Sequence, residues 1–198
     1  MEQDSQIHIM LDLETLGTKP DAAIISVGMV ASKRGLGKEP EILESLDIAI
    51  DLDSALASGG VIDATTLMWW MQHEQETARA AYLGYQESHS MAAALAMITK
   101  FIHNYATGTR APLIWGNGSD FDNVVLRSAF ERSGFVVPWD FRQNRCLRTL
   151  KNMRPEFMEL EPEFLGVRHN ALDDAMHQTK WLHSILNLLE GYYTPWPI

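Results

Sequence analysis

IHIMLDLETLGT (Ile7–Thr18) starts as an apolar strand and ends in acids, threonine and glycine. In an extended chain alternate side chains share a face, so Met10, Asp12 and Glu14 point one way while Ile9, Leu11 and Leu13 point the other. Two carboxylates about 4 Å apart repel by about 4 kcal/mol at an effective dielectric of 20. A polar surface strand carries such a pair cheaply, whereas an apolar run calls for a cation beside it. A hard ion that takes oxygen ligands, magnesium or manganese, suits that place. Taken alone, the pair also fits the acidic end of an ordinary strand.

Two more strand-like segments follow, AAIISVGMVAS (Ala22–Ser32) and ESLDIAI (Glu44–Ile50), with the polar loop KRGLGKEP (33–40) between them. Short connections predict an antiparallel meander of the three. The middle of the chain reads as helical. Asp63 is a suitable N-cap for Ala64–His73, Thr77 caps or interrupts the next turn, and Ser90 caps Met91–Tyr105, where Ala94, Leu95, Ile98, Phe101 and Ile102 keep helical spacing. PLIW (Pro112–Trp115) reads as a short buried strand, followed by a Gly116-Asn117-Gly118 turn and a helix over Ser119–Ser133. From Pro138 to Pro162 no period is legible. Asn170 opens a last helix, Ala171–Leu189, ended by Gly191. The tail YYTPWPI (192–198) reads equally as docked on the body or as an interaction segment. Strands in a meander, then alternating helices and strands, predict an α/β fold with a mixed sheet.

No apolar run reaches the roughly 18 residues that span a bilayer. The polar, acidic start does not resemble a secretion signal, and the lone Cys146 excludes an internal disulfide and a cysteine-built zinc site. A soluble, cytoplasmic protein without a membrane partner is expected; whether it forms a homo-oligomer stays open. The net charge of −10 argues against non-specific coating of long duplexes, which wants a basic surface. Acids that hold metal ions inflate that figure. The bases are also unevenly spread: Arg142, Arg145, Arg148, Lys151 and Arg154 recur every third residue with no acid between Phe141 and Pro155. On a helix this spacing gives a slowly winding basic stripe, equally a solvated face or a phosphate-binding one.

Two further acidic stretches match the first in character. In NGSDFD (117–122) Asp122 falls in line with Val125, Leu126 and Ala129 and so leans inward, while Asp120 is placed to start the helix. In HNALDD (169–174) Asn170 reads as an N-cap with Asp173 as its reciprocal partner. Asp174 borders the apolar row of Ala171, Ala175, Gln178, Trp181 and Leu182; Asp173 lies with His177 and Lys180 on what reads as the wet side. His169, just ahead of that helix, is able to take a proton near neutral pH, and reads equally as a cap or surface histidine.

D-x-E (Asp12, Glu14), N-x3-F-D (Asn117, Phe121, Asp122) and H-x4-D (His169, Asp174), in that order, resemble the three motifs of the DEDDh 3′–5′ exonucleases, a family with a ribonuclease H-like fold. The wording LDLETLGT, WGNGSDFDNVVL and RHNALDDA, with Trp69 and Trp70, is similar to its phage and bacterial branch, which includes the phage exodeoxyribonuclease A type and a mycobacterial-type exoribonuclease. The likeness runs from Ile7 to about Leu189, and all five positions are filled. It implies one exonuclease domain over 1–198, with a core of 7–189 and a tail of 190–198. It further implies that Asp12, Glu14, Asp122 and Asp174 hold two divalent cations, Mg2+ or Mn2+, and that His169 is the base. The implied reaction releases nucleoside monophosphates from single-stranded DNA or RNA 3′ ends, the phage-like wording favouring DNA. Thr15, Leu16, Trp70, Asn117, Arg145 and Arg148 are the candidates for substrate binding. Leu16 reads equally as turn packing, and at least one of the two tryptophans is expected in the core. The alternatives are an exoribonuclease on RNA 3′ overhangs, a ribonuclease H-type endonuclease, and a non-catalytic nucleic-acid-binding protein.

Overall fold

The first strand, β1 (His8–Thr15), divides the apolar side chains of the protein between two cores. Ile9, Leu11 and Leu13 enter the larger one; Met10, from the opposite face, enters a second with Val30, Trp115 and the last helix. A computed structural model describes residues 6–35, 39–106 and 111–191. In it β1 is joined by β2 (Ile24–Lys33), β3 (Glu41–Ala49), β4 (Leu113–Gly116) and β5 (Asn144–Cys146) in the order β3-β2-β1-β4-β5. The first three strands pair antiparallel, and β4 and β5 run parallel to β1. The expected meander plus parallel strands is therefore present.

Eight helices flank the sheet among the described residues: α1 (Leu52–Ala57), α2 (Ala64–Trp70), α3 (Glu76–Leu83), α4 (Met91–Asn104), α5 (Asp122–Arg132), α6 (Leu147–Lys151), α7 (Pro155–Met158) and α8 (Ala171–Gly191). The expected row on α4 packs into the larger core with Val125, Leu126, Ala129 and Phe130 of α5. The smaller core joins Leu147 of α6 and Phe157 of α7 to Ala175, Trp181, Leu182 and Ile185 of α8. Among the described residues no helix is long and apolar enough to cross a membrane. The outer strand β3 exposes Glu41, Glu44 and Asp47, and charges on an edge strand discourage pairing with another sheet.

Several local expectations are corrected. The helix expected over Ala64–His73 stops at Trp70 and gives way to a 3₁₀ turn, His73–Gln75, so Thr77 sits inside α3 rather than capping it. α5 starts at Asp122, because the N–H groups of Phe121 and Asp122 both turn back to the Gly118 carbonyl; Phe121 then occupies the cap position and Asp120 does not cap. The Phe141–Pro155 stretch is a 3₁₀ turn, three residues of strand and a five-residue helix, so no continuous basic stripe forms. Asn170 does cap α8, its Oδ1 accepting the Asp173 N–H at 3.1 Å. The Asp173 carboxylate, though, takes the Val167 N–H at 2.8 Å, not the one expected from Asn170. His177 is not on a wet side. It is 7% exposed, its Nε2 lies 3.2 Å from Glu161, and its ring packs on Phe164 and Trp181, because the 157–164 segment covers that face. The tail 192–198 lies outside the described residues.

α8 is seated by a glycine. Gly28 pairs with Asp12 across the β2–β1 ladder, and a Cβ built on it would stand 2.1 Å from the Ala171 carbonyl oxygen. Bare backbone at position 28 lets the first turn of α8 rest on the sheet. Gly28→Ala is expected to cost about 1–3 kcal/mol or more by overpacking, read as a fall in Tm. An unchanged Tm would show that α8 does not rest there.

Candidate active site

The strand ends and helix starts just described meet at one cleft of about 540 Å3. Asp12 and Glu14 reach it from β1, Asp122 from the first residue of α5, and Asp174 from the first turn of α8, with His169 just ahead. Three remote stretches of chain thus supply its acids. A second glycine makes this possible. Gly116 pairs with Leu11 at the end of β4, and a Cβ there would lie 2.6 Å from Asn123 Oδ1 and 3.0 Å from Asp122 Oδ2. Without one, α5 begins directly against the sheet and carries Asp122 beside β1.

Glu14, His169 and Asp174 each offer one ligand atom, and these atoms all lie within 4.8 Å of one another. Asp174 Oδ2 also accepts the His169 backbone N–H at 2.6 Å. That bond holds His169 at φ 62°, in the left-handed region where side chains other than glycine are uncommon. The imidazole stands edge-on to Trp69 at 5.0 Å between ring centres.

Crowding of acids away from water moves their protonation. Burial, then Asp122, Glu14 and Asp174, push Asp12 well above the usual carboxylate range, against the pull of a Gln178 hydrogen bond. Burial, then Asp174 and Asp122, raise Glu14 to about 8. Burial likewise raises Asp122 to about 7, although the backbone N–H groups of Leu13 and Asn117 and the Arg148 guanidinium oppose it. Asp174 is raised by burial too. A cluster that resists ionising without positive charge, built from hard oxygen donors with an imidazole beside them, fits divalent cations.

The substrate-binding candidates separate. Thr15 lines the cleft, with its hydroxyl donating to the Gly17 carbonyl at 2.6 Å. Asn117 lines it as well, and its Oδ1 is buried without a donor. Arg148 is the one Lys or Arg side chain among the lining residues. Leu16 is corrected to turn packing: it is 7% exposed, sits in the larger core, and its N–H and C=O are taken by Ala23 and Asp63. Arg145 is corrected as well, because its Nη1 folds onto the carbonyls of Arg142 and Asn144 at 2.7 and 2.8 Å, away from the cleft wall. Of the other bases in the run, Arg142 pairs with Asp140 at 3.3 Å and Lys151 lies 4.1 Å over the Trp181 ring. Trp70 borders the cleft but is 5% exposed, with Nε1 donating to the Thr15 carbonyl at 2.9 Å; Trp69, beside it, is the more open ring. Sequence reasoning missed Gln178, whose Nε2 donates to Asp12 Oδ1 at 2.7 Å. Its signal was a polar side chain inside the apolar row of α8.

Residues 7–186 match the family model described as the 3′–5′ exoribonuclease Rv2179c-like domain. No curated protein matches the chain. Among solved structures it is similar to cell-death related nuclease 4 (CRN-4), with a TM-score of 0.62 and 12% identity over 92% of this chain and 64% of that one. It therefore spans less than two thirds of that nuclease. The nuclease domain of 3′hExo, a DEDDh family member bound to rAMP, gives a TM-score of 0.62 and 12% identity, covering 93% of this chain and 94% of its own. Exonuclease X, in complex with 5′ overhanging duplex DNA, gives 0.51 and 14%, covering 96% and 93%. These likenesses show that the fold is ribonuclease H-like.

The raised acids have a measurable consequence. Glu14 moves from an ordinary 4.5 to about 8 on folding, so the folded state holds its proton more tightly than the unfolded one. Its contribution to stability is full below the unfolded value and is lost as pH rises through about 8. In a chelating buffer Glu14→Gln is expected to melt on the order of 10 °C above wild type near pH 8.5 and level with it near pH 4. A difference that stays constant across that range would mean that Glu14 carries no buried charge.

Proposed function

The chain belongs to the 3′–5′ exoribonuclease Rv2179c-like domain family, and on that footing we propose that it removes nucleotides one at a time from single-stranded 3′ ends, using two divalent cations held by Asp12, Glu14, Asp122 and Asp174. As a member of that family it is a 3′–5′ exonuclease, a phosphodiester hydrolase. The observation that carries the finer reading is the convergence of four acids from three remote stretches, with His169, on one cleft. Magnesium or manganese, when bound, supplies activation of water and neutralisation of charge on the attacking and leaving oxygens. His169 takes the proton of the attacking water on an imidazole nitrogen, held in place through its backbone bond to Asp174 and its edge contact with Trp69.

The remaining residues bind and orient. Arg148 meets a backbone phosphate from the cleft wall. Thr15 and Asn117 face the terminal nucleotide, Trp69 offers a ring on which a base stacks, and Trp70 fixes the Thr15 carbonyl from below. Residues 7–189 serve as the core of one exonuclease domain working in the cytoplasm, in keeping with the lone cysteine. The phage-like wording of the motifs favours DNA. The family description names an exoribonuclease, which favours RNA as the second reading. DNA and RNA oligonucleotides of one sequence, labelled at each end in turn, separate the two. Cutting of closed circles would end the exonuclease reading.

Two substitutions test the roles. His169→Ala is expected to keep cation-dependent stabilisation and lose about 10²–10⁴-fold in turnover, whereas Asp12→Ala loses both. Turnover by His169→Ala equal to wild type near neutral pH would remove the base. Arg148→Glu is expected to weaken oligonucleotide binding and to lower its salt slope by about 1. Arg145→Glu, which lies off the cleft, should leave that slope unchanged; a fall for Arg145 alone would move the phosphate path.

A further inference from the structure

We infer that Gln178 is a positioning residue that fixes the Asp12 carboxylate for cation binding, an inference that rests on the two-cation reading above. Gln178 stands on α8 one turn beyond Asp174, in a row whose other members, Ala171, Ala175, Trp181 and Leu182, are apolar and buried. It is 5% exposed and borders the cleft. A residue chosen only to fill that space would be apolar, because a buried amide is costly unless both of its ends are satisfied. One end is satisfied by Asp12, at 2.7 Å from Nε2 to Oδ1. The other, Oε1, is buried and has no donor. The amide is thus committed to the acid cluster rather than to the packing around it.

The chemistry of the amide explains why glutamine suits this position. Lysine or arginine would neutralise Asp12 and compete with a cation for it. A neutral amide donates to one oxygen, sets the plane of the carboxylate and leaves its charge intact. Oδ2 stays clear of that bond, and the remaining lone pair of Oδ1 stays available. Because Gln178 and Asp174 share one helix, the clamp also ties a ligand on β1 to a ligand on α8. Partners that orient metal ligands in this way change cation affinity by about 10–100-fold when removed.

Gln178→Met keeps length and volume and removes the donor. Magnesium and manganese are titrated into the intact, substrate-free protein, and the Tm is followed; turnover and KM on a single-stranded oligonucleotide are measured at limiting and excess cation. The expected result is a cation midpoint raised about tenfold or more, turnover reduced at limiting cation and recovered at excess, and KM unchanged. A midpoint within about twofold of wild type would overturn the role of Gln178 whatever happens to the Tm in chelator. If Gln178→Met does not fold, Gln178→Asn, which keeps an amide but withdraws it by one methylene, is read by the same midpoint. A wild-type Tm that neither cation moves would overturn the two-cation reading itself; a wild-type shift with an unmoved variant midpoint overturns only the clamp.

Discussion

Mutual repulsion among four carboxylates in a cleft short of water is the constraint around which this protein is arranged. Left alone, such a group would separate or take up protons: burial raises all four acids, and their acidic neighbours push Asp12 and Glu14 up further. The acids stay together because each is fixed to an element that cannot move independently. Asp12 and Glu14 belong to a strand paired on both sides, and Asp122 and Asp174 to the first turns of helices whose far ends are anchored in apolar cores. Hydrophobic burial, which has no direction, thus supports an electrostatic arrangement that needs one.

The two cores divide this work. The larger holds α4 and α5 against one face of the sheet and so fixes Asp122; the smaller holds α6, α7 and α8 against the other and so fixes Asp174. The cleft opens where the ends of β1 and β4 meet the starts of α5 and α8. Four of the acids are turned inward to this cluster, and Glu41, Glu44 and Asp47 stand on the exposed edge at β3.

How much could be read in advance depended on periodicity. Asp12 and Glu14 were legible because a strand repeats every two residues and its apolar partners were plain. Asp122 and Asp174 were legible because each lay beside a row of helical spacing. The stretch from Pro138 to Pro162 was not, since a 3₁₀ turn, three residues of strand and two helices of five and four residues are each too short to repeat. That is also why Arg145 and Arg148 looked equivalent: only the tertiary path folds one onto its own backbone and turns the other to the cleft. Gln178 looked like an interruption of its row because its partner, Asp12, is 166 residues away. The covering of His177 was hidden for the same reason, since it comes from the segment without a period.

The seat of α8 on Gly28 has a wider bearing. Main chain resting on main chain fixes one position by its lack of a side chain and asks little of the neighbours' identities. At Gly116 the bare chain instead makes room for side chains, those of Asn123 and Asp122 at the start of α5. A scaffold joined at such points can replace most of its sequence and keep its shape, provided that burial is maintained. Such a joint suits a fold that this chain shares, at 12% identity and over 93% of its length, with the nuclease domain of 3′hExo: the bare chain sets the contact, and side chains vary around it within what packing allows.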